Sequence, residues 1–152
     1  MNAVSPAGPS TVELSRDGLR RPDVVAVARH GATVTVGRDA VDAIEASARI
    51  VAEYAAGETP VYGISTGFGS LATTVIPPER REELQRGLIR SHAAGMGPAV
   101  EEEVVRAMML LRARTLAMGF SGVRPVVVDT IVHLLNAGIT PTVPEHGSLG
   151  FS

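Results

Sequence analysis

The sequence has no cysteine and no tryptophan, and its aromatic content, three Phe and two Tyr, is 3%. Without cysteine there can be no disulfide framework and no thiolate metal site, and the composition fits a reducing cytoplasm, the expected compartment. An excess of charge is missing too. Fourteen basic against sixteen acidic side chains leave a formal net charge of −2, so no basic field exists to draw in nucleic acid or an anionic membrane. No apolar run approaches the ~18 to 20 residues of a membrane span, and the N-terminal stretch lacks the basic start and unbroken apolar core of a signal peptide. A soluble chain is the expectation. There is no internal repeat and no low-complexity tract. With aromatics so scarce, the core has to be built from Val, Leu, Ile, Ala and Met, which favours helix packing over a β-sandwich. Tyr62, a large polar aromatic inside a glycine-rich stretch, has little packing reason to be there.

What is present organises into one domain with a short arm. At 152 residues and 45% hydrophobic the chain suits a single core. Residues 1–22 mix Pro6, Pro9 and Pro22 with glycines and no sustained period, reading as a flexible arm or a short edge strand; residues 23–152 form the domain proper. Thr33–Val36 alternates like a strand, and Asp39 can cap a helix running to about Ala56. Val41, Ile44, Ala48, Val51 and Ala55 share one face of it, and Gly57 stands where a left-handed C-terminal residue is expected. From Glu58 to Pro77 the helical period disappears and Gly63, Gly67 and Gly69 give a loop with unusual backbone freedom. Pro78 and Glu79 open a second helix ending near Gly95, with Leu84, Leu88 and His92 on one stripe directed inward. A third helix begins at Glu101–Glu103, where the positive end of the helix dipole favours acidic residues, and runs to Met118. Pro125 begins a fourth, ending before Gly138 and apolar around most of its circumference, which calls for neighbours on several sides. The fold class is mainly α with a minor β element.

Few residues suggest chemistry by spacing alone. Gly63 to Gly69 matches neither the dinucleotide fingerprint nor the P-loop, so it reads as a surface loop or a catalytic one. His92 on an apolar stripe reads as a packed histidine bonded to a carbonyl, or as a ligand-recognising one. His30, His133 and His146 have no metal-ligand spacing, and no metal is expected. Arg112, Arg114 and Glu101–Glu103 read as solvated helix faces. Gly147-Ser148-Leu149-Gly150 lacks the nucleophile-elbow spacing, which leaves hydrolase chemistry without support.

Three strings together carry a resemblance. They are Val61-Tyr62-Gly63-Ile64-Ser65-Thr66-Gly67-Phe68-Gly69, then Arg90-Ser91-His92-Ala93-Ala94-Gly95, then Asn136-Ala137-Gly138-Ile139-Thr140-Pro141 with Pro144-Glu145. In order and spacing they resemble the histidine ammonia-lyases of the aromatic amino acid ammonia-lyase superfamily, over about residue 30 to Gly150. The resemblance implies the N-terminal part of the ammonia-lyase fold, a helical architecture of the fumarase/aspartase type. It implies non-oxidative elimination of ammonia from L-histidine to trans-urocanate, in histidine breakdown, by a cytoplasmic homotetramer.

By the same resemblance Tyr62 is the base, His92 helps recognise the substrate, and Gly63, Ser65, Thr66, Gly67, Phe68 and Gly69 form the active-site loop. A tyrosine base at neutral pH needs nearby donors or positive charge. Ser-His-Ala-Ala-Gly at 91–95 is similar to the histidine-specific members, whereas phenylalanine and tyrosine lyases usually vary the residues around the histidine. An imidazole binding another imidazole is sensible, because each neutral ring carries one donor and one acceptor. The family's methylidene-imidazolone group, MIO, forms from Ala-Ser-Gly; Phe151 falls on the first position, Ser152 on the central, catalytic one, and the sequence has no glycine after it. The expectation is therefore a truncated, inactive piece of a histidine ammonia-lyase. A phenylalanine or tyrosine lyase or aminomutase of the same superfamily, and a non-enzymatic helical interaction module, are the alternatives.

Overall fold

The computed structural model describes residues 9–147. In chain order the elements are β1 (Thr11–Leu14), α1 (Arg21–His30), β2 (Thr33–Val36), α2 (Arg38–Ala56), α3 (Arg81–His92), β3 (Met96–Ala99), α4 (Glu102–Ala117), α5 (Pro125–Asn136) and β4 (Pro144–His146). The chain divides into two compact units, one comprising residues 1–48 and 100–142, the other 49–99 and 143–152.

The first unit holds every buried hydrophobic side chain among the described residues. β1 and β2 pair in parallel, Thr11 opposite Thr33 through Leu14 opposite Val36, with α1 as the crossover. Alternation puts Val12, Leu14 and Val34 inward. They meet Ala26 and Val27 of α1, Ile44 of α2, Leu110, Ala113 and Ala117 of α4, and Val128, Val132 and Leu135 of α5. No aromatic ring takes part, as the composition requires. Along α2 the expected stripe is the less exposed face, with Ile44 fully buried.

Two polar side chains tie these elements together. Arg106 on α4, only 8% exposed, donates to Val27 O of α1 (3.1 Å) and to Leu135 O of α5 (3.3 Å). Asn136, the last residue of α5, lays its amide along β2: Oδ1 accepts from Val34 N and Nδ2 donates to Val34 O, both at 2.8 Å. Each amide atom faces its complement, which fixes the amide orientation. Gly138, at φ +68°, then reverses the chain, with Ile139 N bonded to Leu134 O and Gly138 N to Leu135 O. That pair of bonds is a Schellman closure.

The second unit contains the end of α2, the loop from Gly57, α3 and an antiparallel pair of β3 with β4. Among its described residues no apolar side chain is fully buried. Polar links hold it: Arg81, at the start of α3, donates to Ala55 O (2.8 Å) and to Ile76 O (3.2 Å), joining the end of α2 to the loop.

Several expectations are corrected. Of the first 22 residues, 11–14 take the strand alternative and are half buried in the core, and α1 was not foreseen. Its signal was present: Pro22 in the first turn, Asp23 accepting from Arg20 N (2.9 Å), and left-handed Gly31 at the end. The β-branched run Val24-Val25 obscured it. Gly57 is not left-handed; its N–H bonds Glu53 O and continues the helical pattern. The second helix starts later, a 3₁₀ turn at Pro78–Arg80 preceding α3, and stops earlier, at His92, before an unforeseen strand. On α5, Val128, Val132 and Leu135 are covered while Val126 and Val127 stay exposed, so its apolar girth is only partly used. No helix of the described residues is long and apolar enough to cross a membrane.

Asn136→Ala leaves both backbone groups of Val34 without their partner and is expected to cost about 1–3 kcal/mol in urea unfolding, with far-UV circular dichroism of the folded state unchanged. Acid should also loosen this unit. The hydrogen bonds from the Arg20 side chain and then its backbone N–H hold the Asp23 carboxyl below its usual range, and the fork of Arg29 does the same for Glu103. A depressed folded pKa stabilises above the unfolded value, about 4, and that contribution disappears as pH falls through the folded one. The midpoint of thermal unfolding should drop below about pH 4, and drop less in an Asp23→Asn, Glu103→Gln chain.

Candidate functional site

Tyr62 stands on a tightly bonded turn, in contrast to the free loop that its glycines suggested. Val61 O accepts from the N–H groups of Ile64 (3.1 Å), Ser65 (3.0 Å) and Thr66 (3.2 Å). The Ser65 hydroxyl accepts from Val61 N at 2.8 Å. Thr66 Oγ1 accepts from Gly63 N (3.3 Å) and donates to Gly67 O (3.1 Å). Ser65 and Thr66 are 3% and 4% exposed, the most buried side chains of the unit. The far side of the loop is fastened by Ile76 N to Ser65 O (2.8 Å) and Gly67 N to Thr74 O (3.1 Å).

Gly63 is required by two constraints at once. Its φ is +70°, and a Cβ there would lie 2.9 Å from Phe68 Cε1. The same Phe68 ring meets Tyr62 edge to face, centroids 5.9 Å apart at 86°. Tyr62 itself is 62% exposed. Beside the turn, Phe68, Leu71, Val75, Ile76, Leu84 and Leu88 line a groove of about 550 Å³ that Ser91 also borders. Gly69, at φ +55°, leads into a 3₁₀ turn, Gly69–Leu71.

His92 is the last residue of α3 and is exposed, which corrects the inward direction expected of it. The helical phase was right, since Leu84 and Leu88 are half-buried along the same stripe. The second unit has no neighbour covering the last turn. The carbonyl expected to receive the ring is Leu88 O, 2.8 Å from Nδ1. Ser91 Oγ donates to the same carbonyl (2.8 Å) and lies 2.8 Å from Nδ1. Because the carbonyl of Leu88 can only accept, Nδ1 at 2.8 Å from it carries the proton. Nε2 is then the acceptor, turned away from the helix.

His30, His133 and His146 are exposed, and among the described residues no group of acidic or histidine side chains could hold a metal ion. Arg112 is exposed as expected, whereas Arg114 is half-buried and donates to the Met118 sulfur. Ser148, Phe151 and Ser152 lie outside the described residues, and with them the positions expected to form MIO. The third string turned out to serve the fold through Asn136 and Gly138. Sequence reading missed Arg81 and Arg106; only the burial of the one and the carbonyl partners of both reveal them.

A fixed tyrosine turn beside an apolar groove, on a mainly helical frame with two small sheets, defines a class, and comparison identifies it. The family model for aromatic amino acid lyases matches residues 19–152, and the chain belongs to that family. Histidine ammonia-lyase of Streptomyces griseus is 57% identical over 142 residues, covering 93% of this chain and 28% of the relative. The Treponema denticola enzyme of the same name is 51% identical over 141 residues, with the same coverage, 93% and 28%. Among solved structures, histidine ammonia-lyase from Trypanosoma cruzi matches with a TM-score of 0.82 at 37% identity, covering 91% of this chain and 26% of that one. Tyrosine aminomutase from Streptomyces globisporus gives 0.84 at 37%, over 91% and 26%. The chain thus spans 28% of the length of these curated relatives.

The ring assignment of His92 can be read directly. In nitrogen-edited NMR at a pH where the imidazole is neutral, His92 is expected as the Nδ1–H tautomer, and Ser91→Ala, which leaves Leu88 O as the acceptor, should keep it.

Proposed function

We propose that this chain supplies the tyrosine turn and a substrate-recognising histidine to the active site of an L-histidine ammonia-lyase. The observation that carries the reading is the turn around Tyr62, in which backbone and buried hydroxyl groups fix the main chain that presents one exposed phenol. Elimination of ammonia from L-histidine removes the α-amino group and one β-proton and leaves a double bond conjugated with the imidazole, as in trans-urocanate. Tyr62 is the group that takes the β-proton, through its phenolic oxygen. His92, with Nε2 as acceptor, receives the N–H of the substrate imidazole. The apolar groove beside the turn suits the ring carbon edges.

The choice of histidine over other aromatic amino acids is supported by the 57% identity to the Streptomyces griseus lyase, and the acceptor at His92 is compatible with it. A second reading, an aminomutase acting on tyrosine, is favoured by the 0.84 TM-score to the Streptomyces globisporus enzyme; the Nε2 acceptor of His92 would serve a phenol O–H as well as an imidazole N–H. The lyase reading carries with it a homotetramer and the electrophilic MIO group, which would draw electrons from the amino-bearing carbon. The positions that would form the group, Phe151 and Ser152, depart from Ala-Ser-Gly at the first residue and lie outside the described residues, so no step here is routed through it.

In an active lyase carrying this segment, Tyr62→Phe should lower kcat by about 10²- to 10⁴-fold, followed by the ultraviolet absorbance of urocanate. His92→Ala should act mainly on KM for L-histidine, by about tenfold or more. Unchanged turnover in Tyr62→Phe would overturn the assignment of the base, and product formed from tyrosine in preference to histidine would favour the aminomutase.

A further inference from the structure

We propose that Ser65 is the positioning residue for Tyr62, a role that rests on reading Tyr62 as the base. Its hydroxyl closes a small ring around the tyrosine. Ser65 Oγ accepts from Val61 N (2.8 Å) while Ser65 N donates to Val61 O (3.0 Å), so Val61, the residue before Tyr62, is held by both the side chain and the backbone of Ser65. Ser65 O in turn accepts from Ile76 N (2.8 Å), which fastens the ring to the far side of the loop. At 3% exposure the hydroxyl does not compete with water for Val61 N. On the other flank the edge-to-face contact with Phe68 limits the ring itself. Removing the hydroxyl leaves every backbone bond of the turn available but frees the N–H of the residue preceding Tyr62. The phenol loses its fixed direction while the fold persists.

The composition provides a probe for this. The chain has two tyrosines and no tryptophan, and Tyr54 is exposed on α2, so Tyr54→Phe leaves Tyr62 as the only strong fluorophore. In that background, Ser65→Ala should increase the sub-nanosecond loss of tyrosine anisotropy and speed exchange of the Val61 amide at least about fivefold. Ser65→Thr, which keeps the hydroxyl, should restore both. Ser65→Cys, with a weaker acceptor, should fall between and serves if the alanine chain does not fold. An alanine chain identical to its parent in anisotropy and Val61 exchange, with the same circular dichroism, overturns the proposal. A threonine chain as mobile as alanine overturns it too, since volume rather than the hydroxyl would then matter. In an active lyase the expected signature is a kcat about 10- to 100-fold lower with KM little changed. Loss of the base assignment would show instead in Tyr62→Phe and would leave the anisotropy result standing.

Discussion

Arg106 is where the first unit is tied. A guanidinium 8% exposed with no carboxylate in salt-bridge reach among the described residues would be strongly unfavourable in an apolar core. It is tolerated because its two bonded carbonyls, Val27 O and Leu135 O, sit in the last turns of α1 and α5. Both carbonyls carry the negative end of a helix dipole, and Leu135 O accepts from Arg106 alongside Gly138 N. One side chain from α4 thereby satisfies the ends of two helices and sets their spacing around Leu110 and Ala113. The neighbouring residue, Asn136, extends the same junction to β2, and Gly138 turns the chain out of it. The string Asn136-Ala137-Gly138 is therefore explained by folding: an amide for a strand edge, then a left-handed residue to close the helix.

The second unit is built on the opposite principle. Lacking a fully buried apolar side chain among its described residues, it relies on backbone bonds and on Ser65, Thr66 and Arg81. Its apolar residues are used as surface, with Phe68, Leu84 and Leu88 lining the groove and Ile89 and Met96 facing outward. A hydrogen-bonded turn is directional where an apolar contact is not. That difference would suit the proposed role of aiming the Tyr62 side chain rather than burying one.

How much of this the sequence disclosed follows from the same contrast. The helices with strong period or strong punctuation were legible: α2 from its stripe, α4 from its acidic start, α5 from Pro125 and Gly138. β2 was legible by alternation. α1 was lost because β-branched residues fill its first turns, and β3 because Met96-Gly97-Pro98-Ala99 has no alternation and lies exposed on both faces. At the site, glycines 63, 67 and 69 suggested freedom, yet the backbone they permit is pinned by the hydroxyls between them. Hydrogen-bond closure over three or four residues leaves no periodic trace, so the order of this loop was invisible. His92 was placed at the right helical phase and given the wrong environment, because phase reports direction and says nothing of whether a neighbour is there.

Position and reactivity separate at Tyr62. On the proposed reading the phenol must be a base near neutral pH, which requires donors or positive charge close to its oxygen. Among the described residues, no side chain hydrogen-bonds that oxygen, and the tyrosine is 62% exposed. On that reading the turn contributes direction, through Val61, Ser65 and Phe68, and activation of the oxygen falls to groups other than those that bond the turn. Such a division is physically reasonable. A directional scaffold keeps its geometry whatever surrounds it, whereas a stabilised phenolate is useful only in the closed site, with water displaced and the substrate's β-carbon within reach.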